Sequence, residues 1–265
     1  LVAFCLIISS SISLSSAQTL QQDSYLQERI STGLDAMYSM RYSDAARAFD
    51  DLIQKYPSEP VGYFFRSQIY LWKYLFDYSE PDYRLFLQTC DKAISVAEAN
   101  LKQRPSNTFA ETIVGAVYGF RAMANFRAEN FMKAALDGRS CYNYLSSVQK
   151  KNPAEYDAFL GLGMFHFGIA AMPSVVRSVA NFAGLKGDLD GGLAEIRTAA
   201  EKSLWAKNDA AMFLAMINVY YKRDFSQGLR YLSSLLQRYP NNVPVLYTLG
   251  NVELFLRKPQ TALPY

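Results

Sequence analysis

The sequence predicts an all-α protein, an α-solenoid of stacked helix pairs that lengthens at its centre. Three registers carry that reading. Gly33 and Ser67 stand 34 residues apart, and Met216-Ile217-Asn218-Val219 stands 34 before Gly250-Asn251-Val252-Glu253. Ser67, Gly115 and Gly163 are spaced at 48, and Tyr70, Tyr118 and His166 keep the same interval. Pro57, Pro105 and Pro153 also repeat at 48. Such a fixed period marks a supersecondary unit that buries its apolar face by stacking on copies of itself. Half of the residues are hydrophobic, enough for a continuous core.

Taken in order, residues 1–8 form an apolar run, followed by a Ser-rich stretch and Ala17. Small residues at Ser15 and Ala17 suit a signal peptidase, so residues 1–17 are expected to be a cleaved signal peptide, with the mature chain starting at Gln18. An uncleaved amino-terminal anchor is the alternative, although the run is short for a span. Either segment places the body, residues 18–265, outside the cytoplasm: periplasmic, cell-surface or secreted. Phe4 stands before Cys5 where a lipidation signal needs a small residue. Beyond Cys5 only Cys90 and Cys141 remain, on second helices of adjacent units, where a disulfide or two buried thiols are both open.

In the first unit, residues 31–57, Gly33 takes the small site where two helices cross and Ala45 the second small site. Phe49 and Leu52 face the next unit, and Pro57 stops the helix. Tyr42-Ser43-Asp44 is expected to be the interhelical turn, with Ser43 capping the second helix. The next unit keeps Ser67, Ala93 and Pro105 at these positions but carries 14 extra residues, close to four whole helical turns, so the buried faces keep their direction. Its break falls at Tyr78-Ser79-Glu80-Pro81, with Pro81 in a first helical turn. A third unit, 107–153, breaks near Ala128-Glu129-Asn130.

Residues 159–176 carry no charge and include Gly161, Gly163 and Gly168. A buried central helix is expected; Pro173 and Arg177 count against a bilayer segment. Residues 184–188 break the helices and Gly191-Gly192 opens the next. An ordinary unit of 34 residues spans 208–240, with Phe225, Gly228, Leu232 and Leu235 on its second helix. A last unit begins near Val243, places Gly250 and Ala262 at the small sites, and is expected to continue in a longer array.

Gly33, Ala45, Phe49 and Pro57, then Gly250 and Ala262, resemble the tetratricopeptide repeat (TPR) family over nearly all of the mature chain. The resemblance implies a right-handed superhelix whose first helices line a concave face. Leu160-Gly161-Leu162-Gly163, Met172-Pro173, residues 184–188 and Gly191-Gly192-Leu193 are similar to the midsection of eukaryotic TPR-like proteins of inclusion-body clearance. That second likeness covers about a quarter of the chain and implies architecture, not activity.

Twenty-seven basic and 24 acidic residues are dispersed along the chain, so no nucleic-acid stripe is indicated. No phosphate loop, nucleophile elbow, metalloprotease helix or calcium loop is present, and two cysteines with one histidine cannot complete a tetrahedral metal site. His166 replaces a tyrosine of the register and is expected to be structural. No catalytic, cofactor or metal residue is assigned.

Counting from the crossing residues, the concave face is expected to carry Phe64, Gln68, Leu71 and Trp72, then Phe120, Phe167, Phe213, Tyr220 and Tyr221. Tyrosine and tryptophan suit peptide binding because they bury much area for few rotatable bonds; the other reading makes several of them inter-unit core. The expected function is a non-catalytic protein- or peptide-binding scaffold, with membrane association possible but not required. The alternative is a carrier of an apolar small molecule or lipid, held by the Gly- and aromatic-rich central unit.

Overall fold

The computed structural model describes residues 20–174, 177, 178 and 184–257, and among them it is all-helical. Eleven α-helices follow one another: α1 Ser24–Tyr38, α2 Tyr42–Lys55, α3 Val61–Asp77, α4 Glu80–Gln103, α5 Thr108–Arg127, α6 Phe131–Lys151, α7 Ala158–Ala171, α8 Leu189–Lys202, α9 Lys207–Met216, α10 Phe225–Arg238 and α11 Val243–Phe255. A π-helical turn, Ile217–Lys222, extends α9. The expected signal peptide and Ala262 lie outside the described residues. Each helix packs on the next; α3 also packs on α5, and α5 on α7.

Two kinds of turn recur. Met40, Tyr78, Glu129, Arg223 and Arg257 each adopt a left-handed conformation at φ between 58° and 64°. They follow α1, α3, α5, the π turn and α11; after the first four, one such residue reverses the chain within a short connection. The second kind follows α2, α4, α6 and α10. Tyr56, Arg104, Asn152 and Tyr239 are the residues before Pro57, Pro105, Pro153 and Pro240, and all leave the helical region, with φ between −128° and −141°. Proline disfavours helical backbone in the residue before it, which ends each helix there. Two residues beyond each proline comes a buried polar side chain: Glu59, Asn107, Glu155 or Asn242. Its N–H closes the turn on the carbonyl of the pre-proline residue at 3.0–3.1 Å.

Side-chain caps set several starts. Asp23 accepts from Tyr25 and Leu26 N–H at 2.9 and 3.1 Å, and Asn107, Asp188, Asp224 and Asn242 each accept one N–H from the first turn they precede. α4 starts at Glu80 within the expected break, capped by Ser79, with Pro81 in its first turn as expected. The expected Tyr42-Ser43-Asp44 turn is corrected: α2 already starts at Tyr42, and its N-cap, Arg41, makes no side-chain cap. The reversal needs only residues 39–41 because Met40 takes the left-handed bend, and Tyr42 packs against the core.

The small sites work by close approach. A Cβ on Gly33 would stand 2.6 Å from Phe49 Cζ, one on Gly115 2.7 Å from Leu145 Cγ, and one on Gly163 2.7 Å from the Gly192 carbonyl oxygen. Ala45, Ser67 and Ala93 are fully buried at the corresponding places. Gly163 and Gly192 therefore let α7 and α8 approach closely. No helix among the described residues is long and apolar enough to cross a membrane; α7 ends at Ala171.

The first helix also reaches the far end of the chain. Tyr38 donates its hydroxyl to Asp209 Oδ1 at 2.5 Å, and Asn242 Nδ2 donates to the Tyr38 carbonyl at 2.8 Å. Tyr239 donates to Asp35 Oδ1 at 2.6 Å, Arg238 pairs with the same carboxylate at 3.0 Å, and the Tyr38 and Tyr239 rings lie 5.2 Å apart. Trp205, before α9, sets its ring against Phe65 and Phe109.

Candidate functional site

The groove residues expected from the sequence divide into two groups. Phe64, Gln68, Leu71 and Phe167 are buried, and Trp72, Phe120 and Phe213 are half-buried. For the four buried ones the expectation of a free concave surface is corrected. Phe64 packs on Phe65 and Phe120 at ring separations of 4.9 and 6.0 Å, and Leu71 has no exposed surface. Bulky side chains on closely packed odd helices bury one another, so this stretch is core.

Trp72 stands at the edge of that core. Its ring meets Tyr38 edge-on at 6.5 Å and lines a cleft of about 20 Å³ with Met37, Met212, Leu235 and Val245. The indole Nε1 is buried and has no hydrogen-bond partner among the described residues. A cleft of this size holds about one water, not an apolar ligand.

Tyr220 and Tyr221 form the second group, 38% and 50% exposed. The π turn presents them side by side. Buried Asn218 donates its amide to the Leu214 carbonyl at 2.7 Å, while its own carbonyl receives the Asp224 N–H at 2.9 Å. The Leu214 carbonyl also receives the Ile217 N–H, so it accepts twice where the π turn begins; such π insertions recur at functional sites. The sequence reading of an ordinary helix pair here missed this turn. Tyr221 packs edge-on against Phe167 of α7 at 5.2 Å, and Tyr220 accepts from Asn251 Nδ2 at 2.9 Å.

Asn251 extends the surface onto α11, where Tyr247, one turn earlier, is 60% exposed. Leu254 and Phe255 are exposed beside it, and Phe255 meets Tyr220 edge-on at 6.2 Å. Sequence reasoning left these residues out although the signal was present. Counted from Gly250 they occupy the places that Phe64, Gln68, Leu71 and Trp72 occupy around Ser67. Phe64, Gln68 and Leu71 are buried in α3, where Phe64 lies against Phe120 of α5, while Tyr247, Leu254 and Phe255 are exposed on α11.

No family model matches this chain, and no curated protein does. Its chemistry is therefore a matter of geometry. The aromatic row offers rings to bury and phenol and amide groups to hydrogen-bond.

The perturbed titratable groups stand elsewhere. His166 Nδ1 lies 2.6 Å from Glu195 Oε2, and that bond, outweighing partial burial, raises the imidazole above its ordinary 6.5. The pair joins α7 to α8, with the Tyr142 and Phe165 rings against the imidazole. Burial, with Asp157 nearby, pushes Glu155 up to about 7. Asp157 itself accepts the N–H groups of Leu204, Trp205 and Ala206 at 3.1, 2.9 and 2.8 Å, holding the entry to α9. Cys90 and Cys141 are free and buried, and burial pushes both thiols up to about 12.

Proposed function

We propose that this chain is a right-handed α-solenoid of TPR-like helix pairs, exported from the cytoplasm, that acts as a non-catalytic scaffold binding a protein or peptide. The repeated left-handed and pre-proline turns support the paired architecture, and the packing of α3 on α5 and α5 on α7 supports stacked first helices. One observation carries the binding role: Tyr220, Tyr221 and Tyr247 are 38–60% exposed on adjoining helices, whereas Phe64, Leu71 and Phe167, expected on the same face, are buried. Half-exposed tyrosines backed by fixed neighbours, Phe167 behind Tyr221 and Asn251 on Tyr220, bury area at small entropic cost when a peptide covers them.

The test is selection of phage-displayed peptides on the native protein, followed by affinity measurement on the variant Tyr220→Ala/Tyr221→Ala/Tyr247→Ala. Selected peptides should lose about 2 kcal/mol or more of binding, roughly thirtyfold, while the melting midpoint changes little. Failure to enrich any peptide, or equal binding by the variant, would overturn the assignment.

A further inference from the structure

Solenoid units touch only their neighbours, so contacts between the first and the fifth pair are not part of the stacking pattern. Here residues 35 and 38 bond to residues 209, 238, 239 and 242, across sequence separations of 171 to 204. The groups at the centre are unlike those of a permanent core. Asp209 is a buried carboxyl that accepts from the Tyr38 hydroxyl, and the cleft that Tyr38 lines also carries Trp72, whose indole N–H has no partner among the described residues.

We propose that this contact is a latch strengthened by acid, holding the first and fifth helix pairs together over the Trp72 cleft and loosening as Asp209 ionises. The inference does not depend on the peptide-binding role.

The groups around the carboxyl fix the sign. From α1 it faces Tyr38, with Asp35 beyond; from the end of α10 come Tyr239 and Arg238, and Lys207 stands on its own helix. Burial raises Tyr38 well above its ordinary 10.0, with further contributions from Asp209 and Tyr239, and burial pushes Tyr239 up to about 12, so both phenols stay protonated donors. The Arg238 guanidinium is engaged by Asp35, and no cation bonds to Asp209 among the described residues. Burial therefore raises the Asp209 carboxyl from 3.8 to about 6, against the opposing Tyr38 hydrogen bond. A carboxyl that binds its proton more tightly in the closed state favours closure at low pH, and that advantage is lost as pH rises from its ordinary value through the raised one. The full coupling is roughly a hundredfold in the opening equilibrium, about tenfold of it between pH 5 and 7.5.

The experiment is amide hydrogen exchange on the full chain at pH 5 and 7.5, corrected for the intrinsic pH dependence of exchange. Peptides covering residues 34–40 and 239–245 report the latch; those covering 108–127 report the body. In the wild type, latch protection should be about tenfold lower at pH 7.5, with the body changed much less. Glu155 titrates in the same range, so the Asp209→Asn variant isolates the cause: its amide still accepts from Tyr38, and its latch protection should be high and independent of pH. Tyr38→Phe, which removes the donor, should lower protection at both pH values. Wild-type latch protection that does not change with pH, a measurement needing no variant, would overturn the proposal. So would an Asp209→Asn protein that keeps the wild-type pH response.

Discussion

Gly163 and Gly168 lie on the same helix, yet the same substitution should move stability in opposite directions. A Cβ at Gly163 would stand 2.7 Å from the Gly192 carbonyl oxygen and 2.9 Å from the Ile196 nitrogen, both main-chain atoms of α8. Neither can rotate away, so α7 and α8 must separate. Overpacking of this kind costs about 1–3 kcal/mol, against a gain of up to about 1 kcal/mol from replacing a helical glycine by alanine. Gly163→Ala should therefore destabilise by about 1–2 kcal/mol. At Gly168 an added Cβ meets nothing within 4 Å, so only the helical gain remains, about 0.5–1 kcal/mol of stabilisation. At about 2–4 °C per kcal/mol for a chain of this size, the two variants should melt roughly 4–10 °C apart, on either side of the wild type. Thermal unfolding followed by helical circular dichroism, repeated in urea, measures the difference. Equal shifts of the same sign would refute the role given to Gly163, and with it the contact between α7 and α8.

The remaining predictions concern separate parts of the molecule. Asp157→Ala should cost about 2 kcal/mol in urea unfolding, the upper end for a lost cap, because three N–H groups lose their acceptor at once. Asp44→Ala, whose ion pairs with Arg41 and Arg47 are exposed, should cost about 0.5 kcal/mol or less in the same assay. A thiol reagent at pH 8 should leave Cys90 and Cys141 unmodified in the folded protein and label both in denaturant, since burial suppresses the thiolate. Fast labelling of either in the native state would contradict its place in the core.

The helices were legible because their signals are local. Pro57, Pro105 and Pro153 end α2, α4 and α6 through the residue before each, whatever lies around them. Gly33, Gly115 and Gly163 mark close approach at any point where helices cross, and Ser79 with Pro81 announces a helix start. The turn after α1 was misplaced because Met40, not a glycine or asparagine, takes the left-handed bend, which is uncommon enough to leave no signature. The π turn was hidden for a similar reason: Asn218 looks like any polar residue until its amide is seen to reach the Leu214 carbonyl.

Chain pattern alone determined that the protein is helical and where most helices stop. Which residues are free for a partner was decided only in three dimensions. Phe64 and Tyr247 hold the same place in the repeat, yet one is core and the other surface, because burial depends on which neighbour lies across the face. The contact of Tyr38 with Asp209 was equally invisible to periodicity. A repeat specifies how each unit meets the next, whereas the meeting of distant units depends on rotations accumulated over every pair between them.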